Sequence, residues 1–116
     1  MNIEKCAENY LKRLQFRQQS ITRENQQRQA VVERIKRCLA SSGINGIFYL
    51  FGSTAEVKAA PGSDIDIAVD GIAPEEYFKI WNLLTEAIDG YFIDLRDITG
   101  KNNFFAQRVR KYGIKL

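Results

Sequence analysis

The sequence predicts an α/β (α+β) fold: a small mixed β-sheet flanked by helices, with an N-terminal helical extension. Three observations lead there. Short runs of β-branched and aromatic residues occur at Ile47–Phe51, Asp64–Val69 and Tyr91–Leu95, the length and composition of strands. Apolar residues at helical spacing fill the segment between the second and third runs. Before residue 43 the pattern is helical throughout. The chain has 116 residues, 45% hydrophobic and 27% charged, which suits one domain around one core. Residues 1–42 are read as N-terminal helices and 43–116 as the core unit.

Ile3, Ala7, Tyr10, Leu11 and Leu14 recur at helical spacing and predict a first helix over residues 2–18. Ser20-Ile21-Thr22 offers N-cap residues for a second, with Glu24 in its first turn. Its apolar stripe is Val31, Val32, Ile35, Cys38 and Leu39. Arg23–Gln29 is almost wholly polar, so this helix is expected to begin exposed and end docked. Ser41-Ser42-Gly43 stops it, because glycine supplies the C-cap conformation. A hairpin of two helices and one bent helix are both compatible with this pattern.

Ile44-Asn45-Gly46 turns the chain into the first strand, Ile47–Phe51. Gly52-Ser53 ends that strand. Thr54–Ala60 is compatible with a short helix or a loop, and Pro61-Gly62 turns into the second strand. Alternation along that strand puts Ile65, Ile67 and Val69 on one face, and Asp64, Asp66 and Ala68 on the other. The first face must pack on helices; the second must open to solvent or ligand. Ala73-Pro74-Glu75-Glu76 is a helix start, and Tyr77, Trp81, Leu84 and Ile88 form a core-facing stripe. After Asp89-Gly90 comes the third strand. A strand, a helix and a strand make a crossover, so strands two and three are expected to be parallel. Strand one is expected to run antiparallel to strand two. A last helix near Lys101–Lys111, with Phe104, Phe105 and Val109 inward, precedes a short edge strand at Ile114–Leu116.

The chain contains no histidine. That excludes Ser-His and Cys-His nucleophile pairs and the usual zinc sites. Cys6 and Cys38 form no CxxC pattern and read as small apolar fillers, which fits a reducing cytoplasm. No apolar run approaches the ~20 residues of a membrane span, and the start of the chain lacks the apolar region of a secretory signal. Residues 1–42 hold nine Lys/Arg and four Asp/Glu, and residues 43–116 hold eight and ten. The basic arm is read as a solvated helix face, with an acidic partner or nucleic acid as the rival reading.

Carboxylates and hard metal ions are the chemistry left. Asp64 and Asp66 lie two residues apart on one strand face, about 6.6 Å along it. Such a pair can embrace two divalent ions about 3.5–4 Å apart. Asp94 can converge on them if strands two and three are neighbours. Two unit charges about 4 Å apart repel by about 4 kcal/mol at an effective dielectric of about 20. Protonation, Arg96, Lys58 or a metal must neutralise the cluster. Arg96 is read as a structural partner of the acids and Lys58 as solvated. All-oxygen ligands favour Mg²⁺ or Mn²⁺. Gly52 permits close backbone approach, and Ser53 can donate to phosphate oxygens.

Gly52-Ser53, then Asp64-Ile65-Asp66-Ile67-Ala68-Val69, resembles the signature of the DNA polymerase β-like nucleotidyltransferase superfamily. Ile93-Asp94-Leu95 is similar to its third carboxylate motif. Val109–Leu116 is similar to the end of the minimal nucleotidyltransferase domains of prokaryotes. The resemblance covers roughly residues 30–116 and implies a nucleotidyltransferase fold. It implies that Gly52, Ser53 and Ser63 bind the nucleotide, and that Asp64, Asp66 and Asp94 are catalytic and hold two Mg²⁺ ions. ATP or another NTP would be the substrate. One departure stands out: minimal members often carry Gly-Ser-Arg-x-Arg-Gly, whereas here the stretch is Gly52-Ser53-Thr54-Ala55-Glu56-Val57.

The resemblance implies transfer of a nucleotidyl group, AMP from ATP first among them, to a hydroxyl acceptor. Stand-alone minimal domains resemble antitoxins, which implies a HEPN-type toxin as partner and its tyrosine as acceptor. A second reading, motivated by Thr54–Glu56 and the helical arm, is a weakly active or inactive module that neutralises a partner by contact. A nucleic-acid-tailing or antibiotic-modifying enzyme is a third, which would need further domains for its acceptor. A homo-oligomer is compatible with all three; a membrane partner is not expected.

Overall fold

The computed structural model describes residues 2–116. The element order is α1 (Ile3–Ser41), β1 (Ile47–Phe51), α2 (Gly52–Ala55), β2 (Ile65–Asp70), α3 (Glu76–Ala87), β3 (Ile93–Asp97), α4 (Phe104–Tyr112) and β4 (Ile114–Lys115). The four strands form one mixed sheet in the order β3-β2-β1-β4. β1 pairs antiparallel with β2 and β4, and β2 pairs parallel with β3, as the crossover pattern predicts.

α1 is one helix of 39 residues rather than two. Residues 3–41 contain neither glycine nor proline, so nothing interrupts the backbone ladder. Thr22, expected at a cap, instead turns its hydroxyl back to the Gln18 carbonyl four residues earlier, at 2.9 Å. Asn2 caps the start by accepting from the Lys5 N–H. Gly43, at φ 75°, takes the left-handed step that ends the helix.

One face of the sheet carries the main core. Phe48, Leu50, Ile65, Ile67, Val69, Ile93 and Leu95 pack against Val31, Val32, Ile35 and Leu39 of α1 and Ile80 and Leu84 of α3. The α3 stripe centres on Ile80 and Leu84, both fully buried, whereas Trp81 is exposed. The helix begins at Glu76, after its Pro74 signal. Tyr77 is half-buried and donates its hydroxyl to the Leu95 carbonyl.

α4 crosses the other face and covers only part of it. Ala106 and Val109 pack on Tyr49, Ala68 and Ile98, with Phe51 and Phe105 beside them. Phe104, expected inward, is 75% exposed, because the turn between Ala106 and Val109 faces the sheet and leaves Phe104 outside. Arg110 fastens α4 to the far end of β2 through Asp70 at 2.9 Å and donates to the carbonyls of Ile98 and Lys101. The third strand runs Ile93–Asp97, two residues later than Tyr91–Leu95; Tyr91 leaves the sheet to lie against the Arg28 guanidinium. Cys38 is half-buried, but Cys6 is exposed and fills nothing. Among the described residues, no helix is long and apolar enough to cross a membrane.

Candidate active site

The uncovered part of the second sheet face holds the acidic residues. β2 and β3 pair in register so that Asp66 and Asp94 are direct Cα partners. Both side chains project from the face that α4 leaves open, and both are half-buried. Asp64 precedes β2 on the same face and is exposed. The Asp66 carboxyl is pushed above the usual carboxylate range. Burial is the first cause, the neighbouring Asp94 and Asp64 charges add to it, and Arg96 partly offsets it. The Arg96 guanidinium lies 3.4 Å from Asp94 Oδ2 and 5.1 Å above the Phe105 ring. Arg96 is therefore the structural counter-charge of the cluster, held in place from α4.

Gly52 closes the site from the β1 side. Phe51 is the register partner of Asp66, and β1 passes into the single turn of α2 at Gly52. Gly52 has φ 73°, a conformation that side chains rarely adopt. A Cβ here would run into the Asp66 carboxylate. Glycine is thus required twice, for the turn and for the room. Ser53 follows in that turn, where the first N–H groups of a helix have no partner within it. A cleft of about 270 Å³ adjoins Gly52 between α2 and α4, lined by Phe51, Ala55, Phe105 and Tyr112 among others.

The loop from Glu56 to Ser63 is held from behind by two buried polar residues of α1 that the sequence reading placed in solvent. Asn25 makes two bonds to the backbone of one residue: its Nδ2 donates to the Ala59 carbonyl at 3.1 Å and its Oδ1 accepts the Ala59 N–H at 3.0 Å. Arg28 is fully buried. Its Nε donates to Glu24 at 3.0 Å. One terminal nitrogen donates to Thr54 Oγ1 and the Asp64 carbonyl, the other to the carbonyls of Ala60 and Ser63. All five guanidinium N–H groups are thereby used. Ser63 is half-buried, and Arg28 takes its carbonyl at 2.6 Å. A signal for these residues existed. Asn25 and Arg28 share one helical face with Val32, Ile35 and Leu39, so the docked stripe begins before its first apolar residue.

Thr54 is fully buried as an acceptor of Arg28. The Lys58 side chain is exposed and pairs with Glu56 at 3.1 Å. Neither the buried Arg28 nor the paired Lys58 is a free cation beside Gly52-Ser53.

The donor set can be tested against a metal. Among the described residues, no three carboxylate or thiol side chains converge on a common ion position. Asp66 and Asp94 stand side by side on neighbouring strands, and the Asp94 charge helps raise the Asp66 pKa. This fits Mg²⁺, which is bound through one or two carboxylates plus substrate phosphates and water rather than by an all-protein cage.

A family model described as "Polymerase beta, Nucleotidyltransferase" matches residues 33–116. The matched segment contains every strand, α2–α4, and Gly52, Ser53, Ser63, Asp64, Asp66 and Asp94. No match is found among curated proteins. With most of its length matched, and with the paired carboxylates and the glycine turn on one open sheet face, the chain belongs to the polymerase β nucleotidyltransferase family.

Proposed function

We propose that the chain is a Mg²⁺-dependent nucleotidyltransferase that takes AMP from ATP to a hydroxyl acceptor. The acceptor in this reading is a tyrosine of a partner HEPN-type toxin, and the protein acts as its antitoxin. The observation that carries the chemistry is the in-register pair Asp66–Asp94 against Gly52. Asp66, Asp94 and Asp64 would hold two Mg²⁺ ions, which when bound stabilise the entering and leaving oxygens of an in-line displacement. Gly52, Ser53 and Ser63 would bind the triphosphate, Gly52 and Ser53 through N–H groups of the α2 turn. Asp94 would accept the proton of the acceptor hydroxyl as its oxygen bonds to the α-phosphorus. The bond from that phosphorus to the bridging oxygen breaks, and pyrophosphate leaves.

A second reading is a module that neutralises its partner by contact. The burial of Thr54 and the outward Glu56 favour it, because neither the buried Arg28 nor the Glu56-paired Lys58 replaces the missing basic positions. One experiment separates the two. The chain is co-expressed with the protein of the adjacent reading frame and supplied with labelled ATP and Mg²⁺. The enzyme reading expects labelling that Asp64→Asn/Asp66→Asn abolishes while partner binding persists. Full neutralisation by that double variant, with no labelling by any NTP in the wild type, would establish the contact reading instead.

A further inference from the structure

The cleft of about 270 Å³ beside Gly52 has a cation in its wall, Arg108 of α4. Phe104, Arg108 and Tyr112 follow at intervals of four, so they share one side of the helix. The Arg108 guanidinium carbon lies over both rings, 5.4 Å from the centre of Phe104 and 5.1 Å from that of Tyr112. Contacts with ring faces restrain an arginine without using its N–H groups. Among the described residues, no carboxylate pairs with Arg108, whereas Arg28, Arg96 and Arg110 are tied to Glu24, Asp94 and Asp70. Glu56 borders the same cleft, but its carboxylate is paired with Lys58. Arg108 is therefore a restrained cation with donors to spare.

Its place relative to the carboxylates is set by the sheet. Asp94, Asp66 and Phe51 are register partners across β3, β2 and β1, and Gly52 follows Phe51. β4 pairs with β1 only at Tyr49 and Leu50, so it stops short of this row. The space beyond Gly52 is the cleft. Phe105 meets the Phe51 ring edge-on, with centroids 5.4 Å apart, and Val109 is buried on the same sheet face. These two anchors fix α4 against the end of β1 and hold Arg108 in the cleft. The row thus runs from the carboxylates, past the glycine turn, to the guanidinium.

We propose, resting on nucleotidyl transfer as the reaction of this site, that Arg108 binds the terminal phosphate of the nucleoside triphosphate and so selects triphosphates over diphosphates. With the α-phosphate at Asp66 and Asp94 and the middle phosphate at the Gly52 turn, the third phosphate enters the cleft. A guanidinium offers it two parallel N–H donors. The bond to the terminal phosphate persists in the departing pyrophosphate, so Arg108 also steadies the leaving group.

Calorimetric titration of the full chain in Mg²⁺ tests this with two nucleotides that cannot react, α,β-methylene-ATP and α,β-methylene-ADP. The wild type should bind the triphosphate about tenfold to a hundredfold more tightly, the worth of a charge-assisted hydrogen bond. Arg108→Ala should lose that advantage and keep its affinity for the diphosphate within about twofold. Arg108→Lys should recover part of the preference. A general loss of fold or of positive charge would weaken both ligands together, and that result would overturn the proposal. So would an undiminished preference for the triphosphate in Arg108→Ala. In both cases a wild type that binds the nucleotides leaves nucleotidyl transfer standing. A wild type that binds neither nucleotide would overturn the proposal and the transfer reading together.

Discussion

Asp66 and Asp94 face each other from neighbouring strands, and the metal-free protein stores their repulsion. Asp66 has a raised pKa from burial and from the Asp94 and Asp64 charges, so folding favours its protonated form. The sign follows: between its ordinary pKa of about 3.9 and its raised folded value, the native state binds more protons than the unfolded one. Stability should then fall as pH rises through that window and stay lower above it. Melts of metal-free wild type minus those of Asp66→Asn should show this drop. Asp94→Asn relieves the same repulsion. It should raise the metal-free stability at neutral pH by on the order of 1 kcal/mol, a few degrees in Tm, while abolishing transfer. Gly52→Ala should do harm on both counts. A left-handed backbone costs a side chain about 1–2 kcal/mol, and the new Cβ meets the Asp66 carboxylate. Denaturant midpoints and single-turnover rates would show both losses, and normal turnover in this variant would contradict the role given to Gly52.

Among the elements, α1 and the loop it clamps decide how well the site is held. Arg28 links α1 to Thr54 and to the carbonyls of Ala60, Ser63 and Asp64, the segment leading from the glycine turn into β2. Arg28→Met leaves those buried acceptors and Glu24 without their donor. It should cost about 3–5 kcal/mol in urea unfolding. Arg28→Lys should recover little, because an ammonium cannot span the fork of acceptors. The strands were legible from their alternating runs, and the parallel pairing of β2 with β3 from the helix between them. Asp64, Asp66 and Asp94 were legible as site candidates because acids on a strand face need a reason. Asn25 and Arg28 were not, because a polar residue on a helix says nothing of the loop it will meet. The continuity of α1 was hidden in a similar way, since the Thr22 hydroxyl can cap a new helix or bond back within an old one. Phe104 and Trp81 misled through hydrophobicity alone; their exposure follows from helix phase, which Ala106 with Val109 and Ile80 with Leu84 set.

Across the whole molecule, the candidate site lies inside the family-matched segment and the bare strip of α1 (Ile3, Tyr10, Leu11 and Leu14) outside it. The family match begins at residue 33, so Asn25, Arg28 and the bare strip of α1 all lie upstream of it. α4 covers part of the second sheet face and leaves Gly52, Asp66 and Asp94 beside the uncovered part. The protein of the adjacent reading frame, incubated with the chain, Mg²⁺ and ATP labelled at either the α- or the γ-phosphate, tests the central claim most directly. Nucleotidyl transfer predicts that the α-label enters the acceptor, that the γ-label leaves in pyrophosphate, and that EDTA or Asp66→Asn stops both. Entry of the γ-label into the acceptor, or α-labelling that persists in Asp66→Asn, would contradict it.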